Sequence, residues 1–387
     1  MAFWAQKAAC EEVSCERLDD IAGGAERVEA MSKAAKSSAE ADKQRFKDGF
    51  ESILKELLEQ ERESGQLQHA IEHLERMYKH NVPHGKLNRG LAVLEGVRAI
   101  REPSLPGGQV LPEAEVSAAV VVGWCIELLQ AFFLVEDDIM DGSYTRRGQR
   151  CWYRDSAVGM VAINDGIILE SAIYSLLKSH LRSHPRYVDL IELFHSTTRT
   201  TAGGQLIDLI STPPNSQVDF SRFDMDTYSS IVCNKTAHYT FYLPAACAML
   251  LSNVRGDEAF ERARDICLQM GQFFQVQDDV LDAYADPEEL GKVGTDIQDN
   301  KITWLAVKAL CYCSDNQRRI MDENYGREED ECVQAVKQVY RDLGLHDEFK
   351  KYEEQLYSEL MEKIAQQEQV PKPLFTNMLD KIYKRSK

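Results

Sequence analysis

Two stretches of the 387-residue chain carry the same chemistry. Phe132 to Asp141 reads F-F-L-V-E-D-D-I-M-D, and Phe273 to Asp282 reads F-F-Q-V-Q-D-D-V-L-D. Each is an aromatic pair, a short run and then D-D-x-x-D. On a helix, residues four apart share a face, so Asp137 and Asp141 project together with Asp138 beside them. Asp278 and Asp282 do the same, with Asp279 beside them. Like charges at that spacing repel, and their place at the end of an apolar run adds a desolvation cost. Something positive is therefore expected between them. Carboxylate oxygens with no Cys or His nearby suit a hard cation such as magnesium, which completes its shell with water and substrate phosphates. A calcium loop is excluded, because neither stretch has D-x-D-x-D-G spacing or a closing Glu. One acidic triplet alone would read as a solvated helix face. Two copies with the same aromatic prefix argue against that.

Phe132 and Phe133 lie about one helical turn, roughly 5.4 Å, below Asp137. They form an apolar floor beneath the metal site, so the expected substrate has a phosphate head and a greasy tail. Basic residues to hold such a head follow the first motif at once, in Thr145-Arg146-Arg147-Gly148-Gln149. Arginine forks suit bidentate phosphate contact. Lys86, Asn88 and Arg89 share one turn at a loop–helix junction, where free backbone N–H groups also attract anions.

Composition sets the frame for these sites. The chain is 44% apolar and 28% charged, as in ordinary globular proteins. Its net charge of -18 argues against general nucleic-acid binding. The ten cysteines contain no C-x-x-C pair, and none has metal-ligand spacing, so reduced thiols are expected. The acids Glu11, Glu12, Glu16, Asp19 and Asp20 are unlike a mitochondrial presequence, and no apolar signal core is seen. The expectation is a cytoplasmic protein. The most apolar run, Ala118 to Val135, carries Glu127 and Gln130 and reads as a buried helix rather than a membrane span.

Apolar periodicity at three- and four-residue steps predicts helices from Asp42 onward. Residues 1–41 read as an acidic, flexible extension, and 42–387 as one domain. Helices are expected over about 66–77, from Lys86, up to Asp141 with Gly142 as cap, and over 165–182 and 187–202. Gly203-Gly204 is expected to interrupt the chain before a helix bearing Gln205 and Asp208. Further helices are expected over 228–251, with Lys235, Thr236 and His238, and over 260–282. His238 reads as a satisfied core residue. Gly294 to Lys301 is expected to open another helix. No strand alternation is found, and the fold class is all-α.

With these residues in view, the chain from about residue 42 resembles the farnesyl diphosphate synthases, a family of short-chain trans-isoprenyl diphosphate synthases; an insect-type member is one expectation. The resemblance rests on G-K-L-N-R-G, L-L-Q-A-F-F-L-V-x-D-D-I-M-D, T-R-R-G-Q, G-Q-x-x-D-L, K-T-A, the second D-D-x-x-D, G-K-x-G-T-D-I-Q-D-N-K and the terminal I-Y-K-R. It implies a homodimer, each chain a helical bundle around a deep cavity. It implies three magnesium ions per site (manganese or cobalt as substitutes), held by Asp137, Asp141 and Asp278, with Asp138, Asp279 and Asp282 in support. Arg146, Lys235 and Lys292 then contact the allylic diphosphate, while Asp208 and Lys301 support the leaving-group side. Lys86, Arg89 and Arg147 bind isopentenyl diphosphate, and the tail around Arg385 closes over it. Gln130, Thr236, Tyr239 and Gln275 line the reacting region, and Phe132 and Phe133 limit chain length. The implied reaction is successive condensation of isopentenyl diphosphate with dimethylallyl and geranyl diphosphate, a dimethylallyltranstransferase and geranyltranstransferase activity.

The chain departs from the family pattern at His84, Asn234, His238 and Ser386, which leaves room for altered chain length or homologous substrates. A terpene synthase on the same fold is the first rival, but a lyase does not need Lys86, Arg89 and Arg147. A non-catalytic partner subunit would have lost acids, and both motifs are complete. An acidic helical scaffold leaves the matched motifs unexplained.

Overall fold

The computed structural model describes residues 40–106, 109–213, 218–285 and 294–383. Contacts divide the chain between Phe50 and Glu51. On the N-terminal side the described residues, 40–50, are helical, with Phe46 and Phe50 buried. The predicted extension 1–41 otherwise lies outside the described residues.

From Glu51 the fold is almost wholly helical. It runs α1 (51–63), α2 (Gln68–Asn81), α3 (Asn88–Arg101), α4 (Glu113–Met140), α5 (Val161–Leu181), α6 (Tyr187–Ser211), α7 (Met225–Ile231), a π-helical segment (Val232–Tyr242), α8 (Leu243–Leu251) and α9 (Asp257–Tyr284). There follow α10 (Trp304–Tyr312), α11 (Asp315–Asn324), α12 (Asp330–Asp342), α13 (Leu345–Gln366) and α14 (Pro373–Ile382). The α4 helix is apolar on every side, and a helix of that kind is buried. It packs chiefly on α5 and α3, with Val122, Cys125, Ile126 and Leu129 all at 0% exposure. Among the described residues it is the one helix long and apolar enough to cross a membrane, and 78% of its apolar window is buried inside the fold. A second core gathers α7 and α9 with α10 to α13 around Trp304, Met321, Val336 and Tyr340.

Four local expectations are corrected. The α6 helix runs unbroken through Gly203-Gly204 to Ser211. A Cβ on Gly204 would lie 2.2 Å from the Lys235 backbone nitrogen, so the glycine permits close packing. That contact outweighs a propensity cost of about 1 kcal/mol. Residues 228–251 are not one regular helix but contain the π-helical segment at Lys235. Pro244 has no N–H to continue the α-helical ladder there. Residues 296–300 form a turn that ends at left-handed Asn300 (φ 56°), and the helix begins only at Trp304, capped by Thr303. Finally, Thr145–Arg146 and Gln149–Arg150 pair as a short antiparallel ladder (β1 and β2), which the sequence pattern did not show.

Candidate active site

The first acidic motif ends α4, and Asp141 is its C-terminal cap. The end of a helix carries partial negative charge, so three acids there need compensation. The structure supplies it from three directions. Arg146 on β1 donates to Asp138 Oδ1 through Nε at 2.9 Å and Nη2 at 2.6 Å, and reaches Asp137 Oδ2 at 3.3 Å. Lys235, on the π-helical segment, lies 3.3 Å from Asp137 Oδ1. Lys301, just after the 296–300 turn, lies 3.3 Å from Asp141 Oδ2.

Asp208 on α6 joins the two lysines. Its Oδ2 accepts from Lys235 Nζ at 2.7 Å and from Lys301 Nζ at 3.2 Å. Burial alone would raise the Asp208 carboxyl, but the two lysines outweigh it and hold the group below its usual range. Burial would lower both lysines, yet the surrounding Asp137, Asp141 and Asp208 carry them above theirs. Asp138 and Asp141 are raised, chiefly by desolvation. Gln205, one turn before Asp208, donates to Asp137 Oδ1 at 3.0 Å.

The second motif divides its work. Asp279 is 3% exposed and turns toward α7 and α10. Its Oδ2 accepts from the Tyr228 hydroxyl and from the Trp304 N–H, both at 2.8 Å, and its Oδ1 accepts from Gln275 at 3.0 Å. Desolvation pushes its carboxyl up to about 7. Gln275 in turn accepts from the Thr236 hydroxyl at 3.2 Å. Asp282 accepts from the Asp296 N–H at 3.1 Å. Asp278 lies half-buried on the same side of α9 as Asp282, four residues before it.

The sequence reading set two clusters of acids around a shared cation. Among the described residues no three acids, histidines or cysteines converge as a ready cage. Ammonium and guanidinium groups sit between the carboxylates of the first cluster, because they are the nearest positive charge. The donors are nonetheless all carboxylate oxygens on or beside two helix faces, a set that fits a hard divalent cation.

Below the acids is a cavity of about 540 Å³ with Phe132, Phe133, Leu206 and Tyr239 in its wall and Asp137, Lys235 and Thr236 at its head. The Phe132 and Phe133 rings stand 5.0 Å apart, and Phe133 is 5.7 Å from the Tyr239 ring. A second cavity, of about 380 Å³, gathers Lys86, Asn88, Arg89, Gln130, Arg147 and Lys381. Arg89 donates to Thr240 Oγ1 at 2.9 Å and to the Tyr239 hydroxyl at 3.1 Å, and its guanidinium lies 4.7 Å from the Tyr239 ring centre. Tyr239, in the wall of the first cavity, is thus hydrogen-bonded to Arg89 in the wall of the second. Arg147 donates to the His84 carbonyl, and burial lowers its guanidinium while Glu127 counters. Glu127 itself is 2% exposed and accepts the Gly90 N–H at 2.8 Å. His238 is half-buried, edge-on to Tyr242 at 6.0 Å, and borders neither cavity.

The structure thus brings together most of the predicted residues. Lys292 and Arg385 lie outside the described residues. Sequence reasoning missed Thr240, Tyr228 and Lys381, which act through contacts to distant residues. Lys381 pairs with Glu95 of α3 at 2.7 Å, a contact no local pattern announces.

The family model that matches this chain, over residues 71–343, is polyprenyl synthetase. Farnesyl pyrophosphate synthase of Gallus gallus is 47% identical over 350 residues, covering 90% of this chain and 94% of that protein. The Ganoderma lucidum farnesyl pyrophosphate synthase is 45% identical over 91% of this chain and 100% of that protein. Among solved structures, T. brucei farnesyl diphosphate synthase complexed with minodronate superposes with a TM-score of 0.82 at 34% identity, over 89% of this chain and 100% of that one. A chain matched along this length, at this identity and in this fold belongs to the polyprenyl synthetase family, where it groups with the farnesyl pyrophosphate synthases.

Proposed function

We propose that the protein is a farnesyl diphosphate synthase that joins isopentenyl diphosphate to dimethylallyl and then to geranyl diphosphate. The observation that carries this is the stacking of a charged cluster (Asp137, Asp141, Asp208, Lys235, Lys301) on a largely apolar cavity with Phe132 and Phe133 in its wall. A second, basic cavity is tied to it by the Arg89–Tyr239 hydrogen bond. A terpene synthase has no use for that second cavity.

Asp137, Asp141 and Asp278 would hold magnesium, three ions in all, with manganese or cobalt as substitutes, and Asp138, Asp279 and Asp282 in support. When bound, the metal neutralises charge on the diphosphate that leaves. Lys235, Lys301, Arg146 and Lys292 contribute to the same end with fixed positive groups. The allylic C–O bond breaks to give a delocalised carbocation and free diphosphate. Lys86, Arg89, Arg147 and the tail around Arg385 hold isopentenyl diphosphate so that its double bond faces that cation. Gln130, Thr236, Tyr239 and Gln275 line the space between. The new carbon–carbon bond forms, and the released diphosphate takes the proton, so no side-chain base is required. Phe132 and Phe133 stop growth at fifteen carbons.

The reading includes a homodimer. Ile163 and Ile167 on α5 and Leu206 and Ile210 on α6 leave an apolar face 45%, 58%, 57% and 54% exposed, which a second copy would cover. It also places the enzyme in the cytoplasm, with residues 42–387 as the catalytic domain, and without nucleic acid. The test is a product assay with isopentenyl plus dimethylallyl or geranyl diphosphate, with and without a chelator. Farnesol after phosphatase treatment, dependent on isopentenyl diphosphate and on divalent metal, supports the reading. Hydrocarbon from a prenyl diphosphate alone would make the protein a terpene synthase.

A further inference from the structure

Every charged residue that lines the basic cavity is positive: Lys86, Arg89, Arg147 and Lys381. The first three come from the loop before α3, the first turn of α3 and the turn between β1 and β2. Lys381 comes from the last turn of α14 and lines the cavity with Met378 and Ile382. Residues three and four apart share a helix face, so these three form one wall. An acid just beyond the lining holds that wall. Asn88 and Ala92 face the cavity from α3, and Glu95 is the next residue on their face, about 10 Å along the axis from Asn88. Lys381 Nζ donates to Glu95 Oε1 at 2.7 Å and to Oε2 at 2.5 Å. The pair is partly screened, with the lysine and glutamate side chains 35% and 28% exposed.

A helix of ten residues has little stability of its own, so packing decides where α14 sits. Phe375 and Leu379 are at 0% exposure, and Leu374 lies against Gly96 of α3, where a Cβ would stand 2.8 Å from Leu374 Cδ1. Such apolar burial is non-directional. It seats the helix without fixing how its last turn is rotated. Two directional contacts do that. One is the Glu95–Lys381 pair, and the other is the stack of Tyr383 on Tyr357 of α13, with ring centres 3.8 Å apart and planes 19° apart. Of the two, only the ion pair is made by a residue in the cavity lining, so it sets where that lining stands relative to Asn88 and Arg89.

We propose that Glu95 is a positioning residue for isopentenyl diphosphate: by tethering Lys381 it fixes the last turn of α14 as a wall of the basic cavity. This rests on the synthase reading above. A tether and a charge effect differ in sign. Loss of the tether loosens the wall and weakens isopentenyl diphosphate binding, whereas loss of a negative charge beside a basic cavity would strengthen it. The test compares Glu95→Gln with a double variant, Glu95→Gln and Lys381→Met, in which the tether is gone and the net charge of the pair is unchanged. Steady-state kinetics give KM for isopentenyl and for geranyl diphosphate, and thermal melting reports the fold. The double variant is expected to raise KM for isopentenyl diphosphate about fivefold, the worth of one partly exposed ion pair, and Glu95→Gln to raise it at least about twofold. KM for geranyl diphosphate should stay within about twofold in both. A lower KM for isopentenyl diphosphate in Glu95→Gln overturns the proposal, since the acid would then compete with the substrate for Lys381. An unchanged KM in Glu95→Gln overturns it too, since any rise in the double variant would then belong to Lys381 itself. An equal rise for both substrates also overturns it, because that is a general loss of structure. Should the double variant not fold, Glu95→Gln alone decides by the sign of its change. Absence of farnesol from the wild-type enzyme would instead overturn the synthase reading, and is seen before any variant is made.

Discussion

Asp208→Asn should weaken turnover and strengthen diphosphate binding together. In the native protein one oxygen, Asp208 Oδ2, accepts from Lys235 at 2.7 Å and from Lys301 at 3.2 Å. The two ammonium nitrogens are therefore at most 2.7 + 3.2 = 5.9 Å apart. At an effective dielectric near 20, two positive charges at that separation repel by about 3 kcal/mol. The lysine side chains are only 26% and 21% exposed, so solvent relieves little of this. Asparagine keeps the shape but not the charge. That repulsion is present in both proteins, but the variant lacks the carboxylate that offsets it; breaking such a buried pair costs about 3–5 kcal/mol, which for a chain of this size is a fall of about 4–6 °C in melting temperature. Turnover should drop about 100-fold, because the ammonium groups no longer hold their places. Inorganic diphosphate, which brings negative charge to the same point, should bind the variant more tightly and restore its melting temperature more than it does for wild type. The assays are thermal melting with and without diphosphate, and steady-state kinetics on geranyl diphosphate. A variant that melts like wild type without diphosphate, or turns over within threefold of it, would refute the account of Asp208 as the hub of this cluster.

The pH profile of the same pair of proteins checks the sign. Asp208 is held low, so its contribution is present above the usual carboxylate range and is lost as pH falls through its folded value. The lysines are held high, so theirs is present below the usual lysine range and is lost as pH rises through their folded values. The stability gap between wild type and Asp208→Asn should be flat from about pH 5 to 9 and should narrow on both sides. Phe133→Ala should admit longer products, because it removes the ring that packs on Tyr239; chromatography showing only the fifteen-carbon alcohol would contradict this. Arg89→Lys should raise KM for isopentenyl diphosphate about tenfold with little change for geranyl diphosphate, since an ammonium cannot fork onto both Thr240 and Tyr239. Asp279→Asn should cost about 1–3 kcal/mol in denaturant unfolding, because an amide NH₂ must face a donor where three donors now meet a carboxylate.

Spacing along one helix was legible, and contact across helices was not. Asp137, Asp138 and Asp141 could be read as a unit because helical geometry alone relates them, and the same holds for the aromatic pair one turn earlier. The all-α class followed for the same reason, since period and apolar content are local properties. What pairs with those acids is set by packing. Lys235 meets Asp208 because a glycine on α6 lets a π-helical segment approach to contact distance. Neither the glycine pair nor the extra residue of the π turn carries that information in isolation; the glycines read instead as a helix break. Asp279 shows the same limit from the other side. Its motif position equals that of Asp138, so the sequence assigns both the same part. Asp138 is met by an arginine eight residues later, whereas Asp279 is met by a tyrosine 51 residues earlier and by the first N–H of α10. Both carboxylates are buried, at 4% and 3% exposure, yet identical spacing supplies them with different partners: Asp138 is held by the Arg146 guanidinium, and the hydrogen bonds of Asp279 reach Thr236 through Gln275. An alanine at 279 should therefore disturb Thr236 as well as the fold, and an alanine at 138 should release Arg146 without unsettling α10.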